Sequence, residues 1–171
     1  FKSQKISLPE LGDYAVGMVF LPNDITRSSI AQKAIEQAIS DEGQIFIGWR
    51  DVPTDDTVLG NSVINNKPII KQFFIQRSSK CKDESHFQRK LYVIRKTVHK
   101  KIHQSNLLEW EDFYIVSLST RTIVFKGMVL APNLSKFYVD FQNPNFETAI
   151  ALFHQRFSTN TFPSWRLAQP F

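Results

Sequence analysis

Cysteine is all but absent, with Cys81 alone in 171 residues. One thiol closes no internal disulfide and cannot ligate an iron–sulfur cluster, a usage that fits a reducing compartment. Glycine is scarce too, at six residues, and none of them builds a Gly-rich loop of the kind that cradles phosphate. No apolar run approaches the roughly 18 residues that span a bilayer. No charged-then-apolar signal segment opens the chain either, so a soluble protein without a membrane partner is expected. Zinc-finger spacing, an RNP-like aromatic run and a helix-turn-helix pattern are missing as well. Neither an internal repeat nor a linker divides the chain, and one domain is expected.

What is present is material for a core. Hydrophobic residues make up 42% of the chain and fifteen are phenylalanines, enough for a globular domain of this length. The formal charge of +5 raises nucleic acid as a partner. The positive residues gather between Arg89 and Lys101. The same segment carries Phe87, Leu91, Ile94, Val98 and Ile102 on one helical stripe, with Arg89, Lys96, Lys100 and His103 opposite. That is how the solvated back of a helix reads, and no nucleic-acid partner is expected. His99 and His103 stand four apart, a spacing that metal ligands use, but no third ligand or intervening glutamate accompanies them. A solvated pair and no metal site are expected. Asp51, Asp55 and Asp56 read as a turn, not as paired catalytic carboxylates.

Periodicity and turn chemistry place the elements. Residues 14–21 read as a buried strand stopped by Pro22. Asp24 caps a helix with Ile30, Ala31, Ala34, Ile35 and Ala38 on its apolar face, ending near Gly43. Residues 44–50 and 68–77 read as strands, with a helical turn or loop at 57–67 between them. Residues 78–84 form a polar loop holding Cys81, and Asp83 or Ser85 caps the basic helix. Residues 112–119 and 122–128 pair most simply as a hairpin. Residues 132–141 hold a short helix around Leu134, Phe137 and Tyr138, and Asn143-Pro144 turns the chain into a last strand. Helices and strands mix without strict alternation, which favours an α+β fold over a doubly wound sheet.

The final run, His154 to Phe171, carries the most specific chemistry. Just before it, Thr148 to Leu152 is almost wholly apolar, as a strand buried on both faces would be. Alternation sends Ala149, Ala151, Phe153, Gln155 and Phe157 one way, and Ile150, Leu152, His154, Arg156 and Ser158 the other. The pattern stops at Ser158-Thr159-Asn160-Thr161 and Phe162-Pro163, a loop at a strand end. A guanidinium one step before a row of hydroxyls and amides can grip a carboxylate through two parallel hydrogen bonds. It can equally pair with a neighbouring acid inside the fold. On the residues alone both remain open.

Arg156-Phe157-Ser158-Thr159 resembles the Arg-Phe/Tyr-Ser-Thr motif of the class II glutamine amidotransferases, whose nucleophile is an N-terminal cysteine. Phe157 stands where the family often has tyrosine. The longer run, with Thr159-Asn160-Thr161-Phe162-Pro163 before Leu167-Ala168-Gln169-Pro170-Phe171, is similar to the version carried by the large subunits of glutamate synthases. Val16-Gly17-Met18-Val19-Phe20-Leu21-Pro22, Gly48-Trp49-Arg50-Asp51-Val52-Pro53, Leu91-Tyr92-Val93-Ile94-Arg95-Lys96 and Phe113-Tyr114-Ile115-Val116-Ser117-Leu118-Ser119 fall in the same family's order. The resemblance therefore covers nearly the whole chain.

It implies the N-terminal-nucleophile hydrolase architecture, a four-layer αββα sandwich, of which residues 1–171 would be an interior portion. It implies glutamine as substrate, with Arg156 on the α-carboxylate and Phe157, Ser158 and Thr159 lining the pocket. Ammonia released there would serve the reductive amination of 2-oxoglutarate in the remainder of the parent chain. FMN and an iron–sulfur cluster are implied for that remainder and no cofactor for this segment. A small subunit or ferredoxin is implied as a further partner, in the cytoplasm or, in photosynthetic eukaryotes, the plastid.

Against the family pattern, Phe1 is not the nucleophile, and the Cys-Gly opening and the Asn-Gly oxyanion pair are not among these residues. Cys81 is interior, and nothing in the sequence supplies the depressed pKa of a nucleophile there. No catalytic residue is assigned, and the segment alone is expected to be inactive. His154 reads as a structural hydrogen bonder and Arg166 as surface variation. The alternatives are a non-catalytic interaction module that keeps the fold without the nucleophile and, last, a basic RNA-binding domain.

Overall fold

The computed structural model describes residues 6–104, 113–156, 160 and 162–169. In chain order the elements are β1 Tyr14–Leu21, α1 Ile25–Asp41, β2 Ile45–Asp51, a 3-10 turn at Asp56–Val58, α2 Asn61–Ile64, β3 Ile69–Gln76, α3 Glu84–Gln104 and β4 Tyr114–Ser119. A 3-10 turn at Ala131–Asn133, α4 Leu134–Phe137 and a 3-10 turn at Val139–Gln142 follow. This is an α+β chain. It forms two compact units, one from Phe1–Asp51 and Ile69–Val124, the other from Val52–Pro68 and Phe125–Phe171.

The first unit is built on a four-stranded sheet in the order β2-β3-β1-β4, antiparallel throughout. β1 takes the bounds its apolar run predicts and is buried from Ala15 to Leu21. Alternation along the strands sorts the side chains between the faces. Ala15, Val19, Leu21, Phe73, Ile75 and Ile115 join the core made with the helices. There α1 contributes Ala31, Ile35, Ala38 and Ile39, and α3 contributes the predicted stripe of Phe87, Leu91, Ile94, Val98 and Ile102. On the other face Val16 and Phe74 pack with Ile6, and Met18 and Phe20 are buried as well. Gly17 pairs with Phe73 across the ladder, and a Cβ there would lie 2.1 Å from the phenyl ring. The glycine is the space the ring occupies.

Both long helices begin on the expected caps. Asp24 Oδ1 accepts from Arg27 N at 2.7 Å, and Asp83 Oδ1 accepts from His86 N at 2.6 Å, each satisfying an otherwise orphaned amide. Gly43, in the left-handed region at φ 66°, closes α1 as a glycine can at little cost.

Cys81 is a correction to the expected polar loop. It is buried within the helix-side core, where a free thiol behaves as a small hydrophobe. Gln44 Oε1 organises its surroundings, accepting from Ser78 N at 3.1 Å and lying 3.6 Å from the Cys81 sulfur. The expected hairpin is a second correction: β4 pairs with β1, and residues 122–127 form no strand. After β4 the backbone turns on side-chain oxygens instead. Arg121 N and Thr122 N donate to Ser119 Oγ, and Val124 N donates to Ser117 Oγ. Such local bonds compete with a strand ladder for the same amides.

Glu84, at the start of α3, is gripped from both oxygens. Arg121 Nε and Nη2 donate to them at 2.7 Å each, and Thr120 Oγ1 donates at 2.9 Å. The Arg121 bonds first, then the Thr120 bond, hold its carboxyl at about 2 instead of the ordinary 4.5. A depressed carboxylate stabilises the folded state fully above its unfolded pKa and loses that contribution as pH falls through the folded one. Stability tied to this group should therefore decline between about pH 4.5 and pH 2. Urea unfolding at pH 5 and pH 2.5 measures it, and Glu84→Gln should flatten the dependence. An unchanged slope in the variant would show that the pair contributes nothing to folding.

The second unit is small and aromatic. Phe125 stacks edge-on to Tyr138 at 5.0 Å and lies 4.7 Å from Phe141 and 5.8 Å from Phe146, ring centre to ring centre. Tyr138 is fully buried, its hydroxyl donates to the Lys126 carbonyl at 2.6 Å, and burial pushes its phenol pKa up. Lys67 ties the 52–68 segment together through Thr54 Oγ1 and Asp56. Asp55 accepts from Thr57, and Asp51 of the first unit pairs with Lys71. The acidic trio thus serves turns and an ion pair, as its spacing suggests.

The last strand is the largest correction. Residues 148–156 carry no strand assignment and lie exposed; Leu152 is 96% and Phe153 93% accessible. Alternation states which way side chains point once a strand is paired, and a strand needs a neighbour to satisfy its amides and carbonyls. Among the described residues no strand pairs with this segment.

Candidate functional site

The expected site lies in the second unit, on an arm whose two ends are anchored. Upstream, Phe146 packs on Phe125 and on Phe141, the latter at 5.1 Å. Downstream, Trp165 is buried at 5% accessibility, with its ring 5.7 Å from Phe137 and its indole nitrogen donating to the Val63 carbonyl at 3.4 Å. Ser164 caps the turn there: its carbonyl receives Ala168 N at 3.0 Å and its hydroxyl receives Leu167 N at 3.3 Å. Between the anchors, residues 147–156, 160, 162 and 163 are exposed.

Arg156 is on that exposed arm. Among the described residues no carboxylate pairs with its guanidinium, so the charge is presented to solvent. Phe157, Ser158 and Thr159, the other three expected binding residues, lie outside the described residues. His154 is exposed, and no described residue hydrogen-bonds its ring. Arg166 is half-buried, and its carbonyl accepts from Lys126 Nζ at 2.7 Å. It is a backbone anchor point, not surface variation.

Lys126 escaped the sequence reading. It is 2% accessible, and its only signal was a cation placed in the apolar run from Ile123 to Leu130. Gly127 beside it makes room for the indole, because a Cβ there would fall 2.5 Å from the Trp165 ring.

The first unit has a separate cleft of about 380 Å³ lined by Tyr92, Arg95, Lys96, His99 and Tyr114. Arg95 donates to the Ile115 carbonyl at 3.0 Å, and Lys96 sits 5.6 Å from the Tyr92 ring centre. His99 packs edge-on against Phe113 and Tyr114, so it is a packing residue and not half of a solvated pair. The side chain of His103 lies outside the described residues. Lys90 pairs with Glu42, the residue that caps α1, and Lys101 with Asp41, the last residue of α1, each at 2.8 Å, while Arg89, Lys96 and Lys100 face solvent. Among the described residues no group of three His, Cys, Asp or Glu could hold a metal ion, and no helix is long and apolar enough to cross a membrane.

Comparison with known proteins gives this geometry a context. The sequence model described as "Glutamine amidotransferases class-II" matches residues 1–171. The glutamate synthase [NADPH] large chain of Bacillus subtilis (strain 168) is 42% identical over 167 residues, covering 98% of this chain and 11% of that one. Ferredoxin-dependent glutamate synthase 2 of Synechocystis sp. is 39% identical over 170 residues, covering 99% of this chain and 10% of its own. The glutamate synthase [NADPH] large chain of Azospirillum brasilense is 40% identical over 158 residues, covering 92% and 10%. The chain thus spans about a tenth of the length of these relatives.

Proposed function

The chain belongs to the class II glutamine amidotransferases, and from that premise we propose that it forms part of the glutaminase domain of a glutamate synthase large chain. The observation that carries this reading is the 42% identity to such a large chain over 98% of the sequence. In the proposed reaction the cysteine at the parent's mature N-terminus attacks the side-chain amide of glutamine, with its own α-amino group as base. The amide C–N bond breaks, ammonia leaves and a thioester remains, which water then cleaves to free glutamate and the thiolate. An Asn-Gly pair outside these 171 residues supplies the oxyanion donors. The contribution of this chain is recognition: Arg156 takes the α-carboxylate, and Phe157, Ser158 and Thr159 line the pocket beside it. The exposed guanidinium, with no carboxylate partner among the described residues, supports that role.

The ammonia would then serve reductive amination of 2-oxoglutarate in the rest of the parent chain. FMN and an iron–sulfur cluster would be held there, since one buried cysteine in this chain cannot ligate a cluster. A small subunit or ferredoxin would be the electron-transfer partner, and the cytoplasm or a plastid the location. The fold would be part of the αββα sandwich of N-terminal-nucleophile hydrolases. Support comes from a sheet with α1 and α3 on one face and buried Met18, Phe20 and Phe74 on the other, as an inner layer requires.

Two proteins test the assignment. The complete parent should release ammonia from glutamine, whereas the 171-residue chain alone should release none. Failure of the parent would favour a non-catalytic interaction module. A glutamine-dependent thioester on Cys81 of the isolated chain would overturn the assignment of the nucleophile.

A further inference from the structure

We propose that the cleft between α3 and β4 binds a nucleoside monophosphate, its phosphate on Arg95 and Lys96 and its base against the tyrosine rings. Tyr92, Arg95, Lys96 and His99 stand at i, i+3, i+4 and i+7 of α3 and so share one stripe of the helix. Tyr114, the first residue of β4, lines the cleft from the sheet. All five belong to the first unit.

The charges point to an anion. Arg95 and Lys96 are adjacent cations, and among the described residues no carboxylate pairs with either. Elsewhere in the first unit Lys71, Arg77, Lys90, Lys101 and Arg121 each have a carboxylate partner. No acidic residue lines the cleft, and the one acid of α3, Glu84, stands about three turns away on Arg121. Arg95 is also steadied: Nη2 donates to the Ile115 carbonyl at 3.0 Å, and a guanidinium has further N–H donors to give a ligand.

Size and walls decide which anion. The cleft holds about 380 Å³, a volume suited to a small organic ligand and far more than a bare phosphate fills. Its remaining walls are the rings of Tyr92, His99 and Tyr114, and aromatic faces stack on any nucleobase. His99 is held edge-on by Phe113 and Tyr114, so that wall is already formed. Tyr92 is 62% accessible, with the Lys96 ammonium 5.6 Å from its ring centre. A cation therefore stands beside an open stacking surface. A small dicarboxylate would meet the cations and leave the rings uncovered, whereas a nucleoside monophosphate uses both. Side chains supply the phosphate contacts here, in a chain without a glycine-rich loop to do so.

Equilibrium dialysis of labelled AMP against the complete parent enzyme tests this, with inorganic phosphate and adenosine as competitors. AMP should bind saturably with a Kd at or below about 1 mM. Phosphate and adenosine should each compete at least about tenfold more weakly than unlabelled AMP, since each makes only half of the contacts. Lys96→Glu and Tyr92→Ala should each weaken AMP binding about tenfold or more. Both side chains are exposed, so the variants should keep the parent's thermal unfolding. AMP binding that is absent, or equal in the parent and both variants, would overturn the proposal. Phosphate competing as well as AMP, or a loss in Lys96→Glu without one in Tyr92→Ala, would overturn it too, by showing a plain anion site.

Discussion

Phe73→Ala should destabilise the domain by about 3–5 kcal/mol, the upper part of the large-to-small range. The ring is wholly buried in the helix-side core and lies 5.4 Å from Trp49. What raises the cost is its partner across the ladder. Gly17 has no side chain to lean into the space the ring leaves, and the sheet backbone on which it sits cannot collapse. The cavity stays open, and cavity volume is what separates expensive truncations from cheap ones. Gly17→Ala alone should also destabilise, by about 1–3 kcal/mol, because its methyl group would overlap the phenyl ring. The two changes together should cost clearly less than their sum, since the methyl group then enters the vacated space. Urea unfolding of the four proteins gives the cycle. Strict additivity would mean that Gly17 is not the reason the ring fits.

The elements of the first unit could be read from the sequence because each carried its own local signal. The unbroken apolar run of β1, the Asp24 and Asp83 caps, and the stripe from Phe87 to Ile102 state both the element and its buried side. The misreadings share a different cause. The alternation from Thr148 to Ser158 describes a strand only in company, and no described strand keeps it company. The β-rich segment after Arg121 was diverted by Ser117 and Ser119, whose hydroxyls take amides that a hairpin would have used. The polar neighbours of Cys81 hid the fact that the thiol turns into the core. Within the candidate site, Arg156 was found through its motif, which is a matter of chemistry along the chain. Lys126 was missed because its importance depends on Arg166, forty residues away, and a buried lysine in a sequence looks like any exposed one.

Arg156→Lys in the complete enzyme should lower kcat/KM for glutamine by roughly one to two orders of magnitude, or about 1.5–3 kcal/mol. Lysine keeps the charge and loses the planar fork that meets both oxygens of a carboxylate at once. The substitution should leave stability almost unchanged, because Arg156 is exposed and pairs with no described residue. A change in function without a change in folding is therefore the expected signature, and thermal unfolding of the variant checks the second half of it. Nitrogen source checks the first half. Free ammonia enters the synthesis without passing through the glutamine pocket, so ammonia-dependent glutamate formation should stay close to that of the parent while the glutamine-dependent rate falls. Equal losses with the two sources would show an arginine that serves the fold and not the substrate, and the carboxylate would have to be bound elsewhere.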